Sequence, residues 1–335
     1  MKNVLYIGNA LSGKGRTKTT IETLGERLEA FCSVMIASKK TNKLLRLLDM
    51  MILVIRKRTQ TDFVLIDTYS TSNFYYALII SQLCRVFKLK YIPILHGGNL
   101  ESRLKNNQKM SGLIFNNAYQ LITPSRYMED IFRTYGHTNI EFIPNFIDLE
   151  NYPFLNRKIE DIKMLWVRSF SNIYNPQLAI HVLKTLTDLG YNASLTMVGP
   201  EVDGSLNKAK TLTKAYNLDV NFTGLLERKD WISLSVSHNV FINTTNFDNM
   251  PVSIIEAMAL GLPIVSTNVG GIPYLISDNI DGILVPANDV EATVKAIVKL
   301  KKNESLKDKL VTNARKKAEQ FDWKVVKSKW ETLLS

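Results

Sequence analysis

The stretch that decides the fold is Asn243–Pro273, with the sequence NTTNFDNMPVSIIEAMALGLPIVSTNVGGIP. It opens at the end of a short apolar strand, in a polar loop that carries Asp248. Proline suits the first position of a helix, so a helix is predicted to start at Pro251, and Gly261 is expected to end it in the left-handed conformation. Glu256 then lies eight positions after Asp248. One acid from the loop and one from the helix can therefore line the same cavity.

The start of this helix is predicted to bind an anion. Met250 is a poor capping residue, so the first backbone N–H groups stay free for a ligand. Val252, Ile255 and Ala259 recur at helical spacing and are expected to bury one face of the helix. On composition alone, a turn aspartate and a solvated helical glutamate explain the two acids equally well.

Length and charge set the broad class of the protein. At 335 residues the chain has room for two domains, each with its own core. The formal net charge of +11 suits an anionic partner such as a nucleotide, a membrane surface or a nucleic acid. No basic–aromatic platform or known nucleic-acid module is visible, so nucleic-acid binding is not expected.

Several features favour a cytoplasmic protein without a metal centre. Met1 leads directly into an apolar strand rather than a signal peptide, and no apolar run is long enough to span a membrane. Cys32 and Cys84 both lie in apolar runs and are expected to be reduced core thiols. The four histidines show no metal-ligand spacing, so no structural metal is expected.

Short apolar runs alternate with helical stretches along the whole chain, which is typical of βαβ units and parallel sheets. Twelve such runs are predicted as strands, six in each half. Open α/β sheets bind ligands beyond the carboxyl ends of their strands. Polar residues or glycines follow the runs at Gly8, Asp67, His96, Gly97, Gly98, Arg168 and Gly199. Two sheets with their loops facing each other across a central cleft are expected, joined in the polar stretch 148–161.

The loop after the first strand leaves an alternative open. Gly8, Gly13 and Lys14 in GNALSGKGRT fit a phosphate-binding loop, except that Gly15 replaces the serine or threonine that would hold magnesium. A P-loop nucleotidase or kinase is therefore one alternative function.

The segment Thr41–Gln60 mixes leucine, isoleucine and methionine with lysine and arginine. A basic amphipathic helix of this kind can lie on an anionic membrane surface. An ordinary helix that packs on its own sheet and ends in solvated basic residues fits the same pattern.

The string DNMPVSIIEAMALGLPIVSTNVGGIP resembles the retaining glycosyltransferases of family 4, which have the GT-B fold and carry an E-x7-E motif in such strings. Asp248 stands in the first acidic place and Glu256 in the second. The segments HGGNLESRLKN, ITPSRYMEDIF, FIPNFIDLENY and LWVRSFSNIYNP are similar to further parts of the family. The resemblance covers nearly the whole chain. It predicts an α/β protein with two Rossmann-like domains, acceptor-binding at 1–152 and nucleotide-sugar-binding at 153–318, and a helix at 319–335 that returns to the first domain.

The resemblance also implies roles for individual residues. Arg168 would stabilise the leaving diphosphate, Asp248 would contact the sugar hydroxyls, and His96 would lie near the anomeric carbon. Glu256 would bind the ribose hydroxyls. The other donor-binding positions would be Asn249, Met250, Pro251, Val252, Gly199 and Leu225, and the acceptor and phosphate loops would contain Gly8, Gly13, Lys14, Gly97 and Gly98.

The implied reaction uses a UDP- or GDP-linked sugar as co-substrate and needs no metal ion or other cofactor. The acceptor attacks from the same face as the departing phosphate, so the anomeric configuration is retained. The acceptor is expected to be a glycan or lipid-linked glycan in cell-surface polysaccharide biosynthesis, with Thr41–Gln60 in peripheral contact with the inner face of the cell membrane.

Four departures from the family pattern bear on this expectation. The first acid is Asp248 rather than glutamate, Tyr274 replaces an acid, and Phe146 replaces a glycine. The lysine that joins the arginine at the diphosphate is missing within Ile173–Pro176, and Lys14 or Arg16 is a candidate to replace it. A non-catalytic GT-B protein that binds a sugar nucleotide or a partner enzyme is therefore a second alternative.

Overall fold

The structure, a computed structural model, describes residues 1–11 and 19–335. The chain divides into two compact units: unit 1 is Met1–Pro144 with Val326–Ser335, and unit 2 is Asn145–Val325. The polar stretch 148–161, expected to join two domains, thus belongs to unit 2. Hydrogen bonds hold it there, since the N–H of Leu155 donates to the carbonyl of Leu260 (3.3 Å) and Arg315 donates to the carbonyl of Tyr152 (2.9 Å).

Unit 1 is built on a parallel sheet of six strands in the order β2-β1-β3-β4-β5-β6. The strands are β1 Lys2–Ile7, β2 Cys32–Ala37, β3 Phe63–Thr68, β4 Lys90–Leu95, β5 Leu121–Thr123 and β6 Ile140–Phe142. The helices are α1 Thr20–Leu28, α2 Lys43–Lys57, α3 Asn73–Val86, α4 Leu100–Asn106, α5 Gln108–Phe115 and α6 Arg126–Thr134. All residues of β3 are buried, which is the pattern of a strand covered by helices on both faces.

Unit 2 repeats this plan with the strand order β12-β11-β10-β7-β8-β9. The strands are β7 Ile162–Val167, β8 Ala193–Val198, β9 Val220–Gly224, β10 Val240–Asn243, β11 Ile264–Thr267 and β12 Ile283–Val285. The helices are α7 Pro176–Asp188, α8 Ser205–Ala215, α9 Arg228–Ser235, α10 Val252–Ala259, α11 Ile272–Leu275, α12 Val290–Lys302 and α13 Glu304–Ala318. A last helix, α14 Trp323–Leu333, begins in unit 2 and ends in unit 1.

The twelve strands predicted from the sequence are all present, and their ends differ from the prediction by at most two residues. The order of the strands decides where ligands can bind. In unit 1 the chain changes direction between β1 and β3, and in unit 2 it changes direction between β7 and β10. Loops that leave such a switch point diverge, and the crevice between them is the usual binding site of open α/β sheets.

Two further expectations are confirmed. Cys32 and Cys84 are both buried and free. Gly261 follows α10 with φ of +73°, in the left-handed region. In the described part of the chain, no helix combines the length and the apolar character needed to cross a membrane.

Candidate functional site

The switch point of unit 2 brings Arg168 and Asp248 together. Arg168 directly follows β7, and its Nη2 donates to Oδ2 of Asp248 in the loop after β10. The two side chains are 15% and 14% exposed, so the pair borders solvent. The arginine expected to bind phosphate and the acid expected to bind sugar therefore bind each other.

Tyr174 supports the same arginine from another side. The centre of the Arg168 guanidinium lies 4.9 Å from the centre of the Tyr174 ring, a cation–π contact. Tyr174 belongs to the segment in which the resembling family has its second cation. Here an aromatic ring that positions the first cation takes that place.

A pair of glycines fixes the loop that carries Asp248. The N–H of Gly271 donates to the carbonyl of Asp248 (2.8 Å). A Cβ atom at Gly270 would overlap this carbonyl, and one at Gly271 would overlap the carbonyl of Asn249. Gly270 also has φ of +52°, so glycine is required here for both space and conformation.

The start of α10 differs from the prediction by one residue. Pro251 has ψ of 116°, an extended conformation, and α10 begins at Val252. A proline that precedes the helix continues the loop instead of opening the first turn. The backbone N–H of Asn249, one of the expected donor-binding positions, donates to Oδ1 of Asp248 (2.8 Å).

Polar atoms without partners surround this helix start. No side chain described in the structure caps α10. Asn249 Oδ1, Ser253 Oγ and Arg168 Nε are buried and have no hydrogen-bond partner among the described residues. Buried polar atoms are normally paired, so an unpaired set in one place indicates where a polar ligand binds. Met250, which comes just before Pro251, is itself buried.

Glu256 lies in the second turn of α10 and is 5% exposed. Its Oε1 accepts hydrogen bonds from the hydroxyl of Tyr152 (2.7 Å) and from Nε of Arg228 (3.0 Å). Burial raises the pKa of Glu256, and the positive charge of Arg228 opposes that shift. The interpretation of Glu256 as a solvated helical acid is therefore wrong. The prediction that only one face of α10 is buried is also wrong, because every residue from Ser253 to Ala259 is buried.

Sequence reasoning misses Tyr152, Arg228 and Tyr174 as partners of the site. Tyr152 stands in the segment FIPNFIDLENY, and Arg228 begins α9. The side chains of Tyr152 and Arg228 lie far from Glu256 in the chain, so only the structure shows that they contact it.

Gly199 and Leu225 lie at the neighbouring strand ends of unit 2. Gly199 has φ of +151°, and a Cβ atom there would overlap the carbonyl of Arg168. The N–H of Gly199 donates to the carbonyl of Gly224 (2.9 Å). Leu225 follows and is 40% exposed. The glycine thus lets the end of β8 approach the backbone of Arg168.

The switch point of unit 1 brings together His96, Asp67 and Tyr6. Asp67 Oδ1 accepts a hydrogen bond from the hydroxyl of Tyr6 (3.0 Å) and lies 2.7 Å from Nε2 of His96. The Tyr69 ring stacks on His96 with 5.2 Å between ring centres. An ionised carboxylate can only accept hydrogen bonds, so Nε2 of His96 carries a hydrogen. Burial and the charge of Asp67 both raise the pKa of Tyr6, so Tyr6 is a neutral donor.

Glycines let the strand ends of unit 1 pack closely around this cluster. A Cβ atom at Gly8 would lie 2.5 Å from Asp67 Oδ2, and one at Gly97 would lie 2.8 Å from the backbone nitrogen of Ser70. Gly98 follows in the same turn. Gly13 and Lys14 lie outside the described residues, so their roles stay predictions.

Within residues 1–11 and 19–335, no group of three or more histidine, cysteine, aspartate or glutamate side chains is placed to hold a metal ion.

Comparison with known proteins identifies relatives of the chain. It is 29% identical over 205 residues to the capsular polysaccharide biosynthesis glycosyltransferase CapM of Staphylococcus aureus. This match covers 57% of the chain and 53% of CapM. It is 27% identical over 178 residues to the UDP-Gal:alpha-D-GlcNAc-diphosphoundecaprenol alpha-1,3-galactosyltransferase of Escherichia coli. This match covers 48% of the chain and 45% of that enzyme. The matches thus span about half the length of these relatives.

Solved structures share the fold at low sequence identity. Sucrose-phosphate synthase from Thermosynechococcus elongatus has a TM-score of 0.84 at 16% identity and covers 99% of the chain and 98% of its own. Anabaena HepE in complex with UDP-glucose has a TM-score of 0.78 at 16% identity, with 99% of both chains covered. The two six-stranded parallel sheets with their helices therefore form a GT-B fold.

The family model for group 1 glycosyl transferases matches residues 150–317, half of the chain, and includes Arg168, Asp248 and Glu256. The chain belongs to the group 1 glycosyl transferases.

Proposed function

We propose that this protein is a retaining glycosyltransferase that moves a sugar from a nucleoside diphosphate sugar to a glycan or lipid-linked glycan in cell-surface polysaccharide biosynthesis. The observation that carries the proposal is the polar site at the switch point of unit 2. It combines the Arg168–Asp248 pair, the buried Glu256 and the unpaired polar atoms at the start of α10.

Each part of this site matches one part of a nucleoside diphosphate sugar. Glu256, held as an acceptor by Tyr152 and Arg228, offers a carboxylate to the ribose hydroxyls. Arg168 offers a guanidinium fork to the diphosphate, together with the N–H groups at the start of α10. The nucleoside diphosphate in the proposal is also supported by the HepE structures, which were solved with UDP and with UDP-glucose.

In the proposed reaction the bond between the anomeric carbon and the diphosphate oxygen breaks, and a bond from the acceptor oxygen forms on the same face. The proton of the acceptor hydroxyl passes to the departing diphosphate. Arg168 stabilises the charge that develops on the diphosphate, which is where a preorganised cation helps most. Asp248 contacts the sugar hydroxyls once Arg168 turns to the phosphate, and His96 contacts the sugar near its anomeric carbon.

The acceptor part of the proposal rests on the relatives. CapM is named for capsular polysaccharide biosynthesis, and the Escherichia coli enzyme is named for a diphosphoundecaprenol-linked acceptor. A lipid-linked glycan acceptor places the protein in the cytoplasm at the inner face of the membrane, in contact with it through Thr41–Gln60. By the resemblance, the reaction requires no metal ion, and turnover that persists in EDTA would support this part of the proposal.

Calorimetric titration of UDP, GDP, ADP, dTDP and ATP into the protein and its Glu256→Ala variant tests the donor site. We expect one nucleoside diphosphate to bind the wild type and to lose about tenfold or more in affinity in the variant, because a hydrogen bond to a charged group is removed. Glu227→Ala is the matched control, since Glu227 is an exposed acid next to Arg228 and pairs with Lys229. If no diphosphate binds, or if Glu227→Ala has the same effect, the assigned donor site is incorrect.

The same titration separates the two alternative functions. A P-loop nucleotidase or kinase predicts magnesium-dependent ATP binding that Glu256→Ala leaves unchanged and Lys14→Ala abolishes. A non-catalytic GT-B protein predicts nucleotide binding without turnover. It is favoured by the missing second cation and by the direct Arg168–Asp248 pair. Transfer of a radiolabelled sugar to membrane extract would exclude it.

A further inference from the structure

Positive charge is concentrated in unit 1 where β2 ends and α2 begins. Residues 38–49 contain one acid and four cations, and the cations are Lys39, Lys40, Lys43 and Arg46. The three lysines are exposed, whereas Arg46 is 7% exposed. The acid, Asp49, accepts a hydrogen bond from the hydroxyl of Ser38. We call the four cations the Arg46 site.

Arg46 is a buried charge whose hydrogen-bond partners are all neutral. Its Nη1 donates to Oδ1 of Asn9 (2.9 Å). Its Nε donates to the carbonyl of Lys40 (2.7 Å) and its Nη2 to the carbonyl of Thr41 (2.9 Å). Arginine is almost never buried to this extent unless an opposite charge accompanies it. A negatively charged ligand beside Arg46 would supply that opposite charge.

Backbone hydrogen bonds fix the Arg46 site against the end of β1. The N–H of Ser38 donates to the carbonyl of Gly8 (2.8 Å), and the N–H of Ala10 donates to the carbonyl of Ser38 (3.1 Å). Lys39 and Lys40 therefore follow a backbone whose position is set by the sheet. Strand β1 is one of the two strands at the switch point of unit 1. The exposed lysines thus lie at the edge of the sheet where open α/β folds bind ligands.

The charges in the first turn of α2 oppose the helix dipole. The amino-terminal end of a helix carries a partial positive charge, so acids stabilise it and cations destabilise it. This turn contains no acid, and the helix begins at Lys43. The Asn42 side chain accepts from the N–H groups of Leu44 (2.9 Å) and Leu45 (3.2 Å), so these backbone donors are satisfied while the excess of positive charge remains. A local arrangement that lowers stability in this way indicates a functional site.

We propose that the Arg46 site binds the diphosphate group of the acceptor substrate. Lys39 and Lys40 contact the phosphates as point charges, and Arg46 adds positive charge from the buried side. The donor's diphosphate is assigned to Arg168 in unit 2, which leaves the Arg46 site to a second anionic group. That this group belongs to the acceptor rests on the proposed function, and the Escherichia coli relative is named for a diphosphoundecaprenol-linked acceptor.

Calorimetric titration of inorganic pyrophosphate tests the site on the whole chain. The titration uses the Arg168→Ala variant, which lacks the cation assigned to the donor's diphosphate, so binding reports on a different site. We expect pyrophosphate to bind this variant. Adding Lys39→Gln/Lys40→Gln in the same background should weaken the binding roughly tenfold, because two charge-assisted contacts are lost.

The matched control is Arg56→Gln/Arg58→Gln, also in the Arg168→Ala background. It removes two exposed cations from the other end of α2, about 20 Å from Lys43 along the helix. This distance exceeds the screening length at physiological salt, so pyrophosphate affinity should change by less than about twofold.

Transfer of a radiolabelled sugar to membrane extract tests the link to the acceptor, with Arg168 intact. Lys39→Gln/Lys40→Gln should require about tenfold more extract for half-maximal rate, because the lost contacts are those of the acceptor. Its affinity for UDP should equal that of the wild type.

Four results would overturn the proposal. They are the absence of pyrophosphate binding in Arg168→Ala, equal losses in the two double variants, a loss of UDP affinity in Lys39→Gln/Lys40→Gln, and competition between pyrophosphate and phosphatidylglycerol vesicles. The last result would make the ligand a lipid headgroup. Pyrophosphate is titrated without a nucleotide, so the Arg46 site can fail while the donor site holds. Conversely, a wild type that binds no nucleoside diphosphate would refute the donor site and leave the pyrophosphate result standing.

Discussion

The two units carry different polar clusters at equivalent points of their sheets. In unit 2, each acid at the switch point has an arginine partner, Asp248 with Arg168 and Glu256 with Arg228. In unit 1, the single carboxylate of Asp67 is held by the neutral hydroxyl of Tyr6 and by His96. The ion pair at Arg168 borders solvent, whereas Asp67 is 5% exposed.

This difference indicates a different task for each cluster. An arginine stays charged in any environment, so Arg168 can exchange Asp248 for a phosphate without a change in protonation. Within residues 1–11 and 19–335, the contacts of the unit 1 cluster include no arginine or lysine that could be exchanged in this way. The cluster fixes the ring of His96 instead. Substitutions in unit 2 should therefore change the binding of nucleotides, and substitutions in unit 1 should change turnover.

The largest effect is expected at Arg168. Arg168→Ala should lower the affinity for UDP about 100-fold and leave the affinity for UMP nearly unchanged, because charge-assisted bonds to the second phosphate are lost. Arg168→Lys should keep only part of the wild-type preference for UDP over UMP, since lysine cannot form the bidentate contact. Calorimetry with both nucleotides measures the ratio of UDP affinity to UMP affinity.

Arg126→Ala is the control for this substitution. Arg126 is an exposed arginine of unit 1 that pairs with Glu129, and its removal should leave the ratio of UDP to UMP affinity as in the wild type. Equal losses for UDP and UMP in Arg168→Ala would mean that Arg168 does not contact the diphosphate.

Asp67→Asn should reduce kcat about tenfold without changing the affinity for the nucleotide. Asparagine keeps the shape of the side chain but loses the carboxylate that orients the hydrogen on Nε2 of His96, so the ring is held less well for its contact with the sugar. Turnover and calorimetry on the same preparation separate the two quantities. The exposed Asp62, which accepts from the backbone of Asn3 (2.8 Å), provides the control variant Asp62→Asn. A loss of nucleotide affinity in Asp67→Asn would contradict the division of tasks between the units.

A pH-dependent effect is expected at Arg228. Burial raises the pKa of Glu256 and Arg228 lowers it, so Arg228→Ala should raise this pKa further. More Glu256 is then neutral at a given pH, and the ionised acceptor for the ribose forms only at higher pH. Nucleotide affinity should fall about tenfold at the acidic end of the series and recover as the pH rises. Other charges near Glu256 are those of Arg168, with Asp148 acting on Arg228 and Tyr152.

A pH series of titrations checks this expectation. Lys229→Ala should keep the profile of the wild type, because Lys229 pairs with Glu227 and not with Glu256. A 2′-deoxynucleotide should show a weaker dependence on pH, since it lacks one hydroxyl that Glu256 would bind. A profile of Arg228→Ala that is lower by the same factor at every pH would mean that Arg228 acts through structure alone.

The fold could be predicted from the sequence because it depends on local pattern. Apolar runs of strand length and the residues that follow them give all twelve strands, and the spacing of Asp248 and Glu256 places both acids correctly on loop and helix. The start of α10 could not be predicted, since proline fits the first helical position and the preceding loop position equally well.

The ion pairs could not be predicted, because each joins side chains from distant segments. Arg168 and Asp248 are 80 residues apart, and nothing in either segment shows that the two side chains pair with each other instead of staying available to a ligand. Likewise, the pattern of Thr41–Gln60 predicts a basic amphipathic helix but does not show that five aliphatic residues of α2 point to solvent. The burial of α10 on both sides could not be predicted for the same reason, since it depends on which elements pack around the helix.

The smallest effect is expected at Tyr174, and it tests whether the ring compensates for the missing cation. Tyr174→Phe keeps the ring beside Arg168 and should leave UDP affinity unchanged. Tyr174→Leu removes the cation–π contact, worth about 0.5–1 kcal/mol at a partly exposed site, and should weaken UDP about threefold. The effect should vanish in the Arg168→Ala background, because the ring acts through that guanidinium, and a double-mutant cycle measures this coupling. If Tyr174→Leu weakens UDP equally in both backgrounds, the ring contacts the ligand itself, and the two units differ less in how they hold their catalytic side chains.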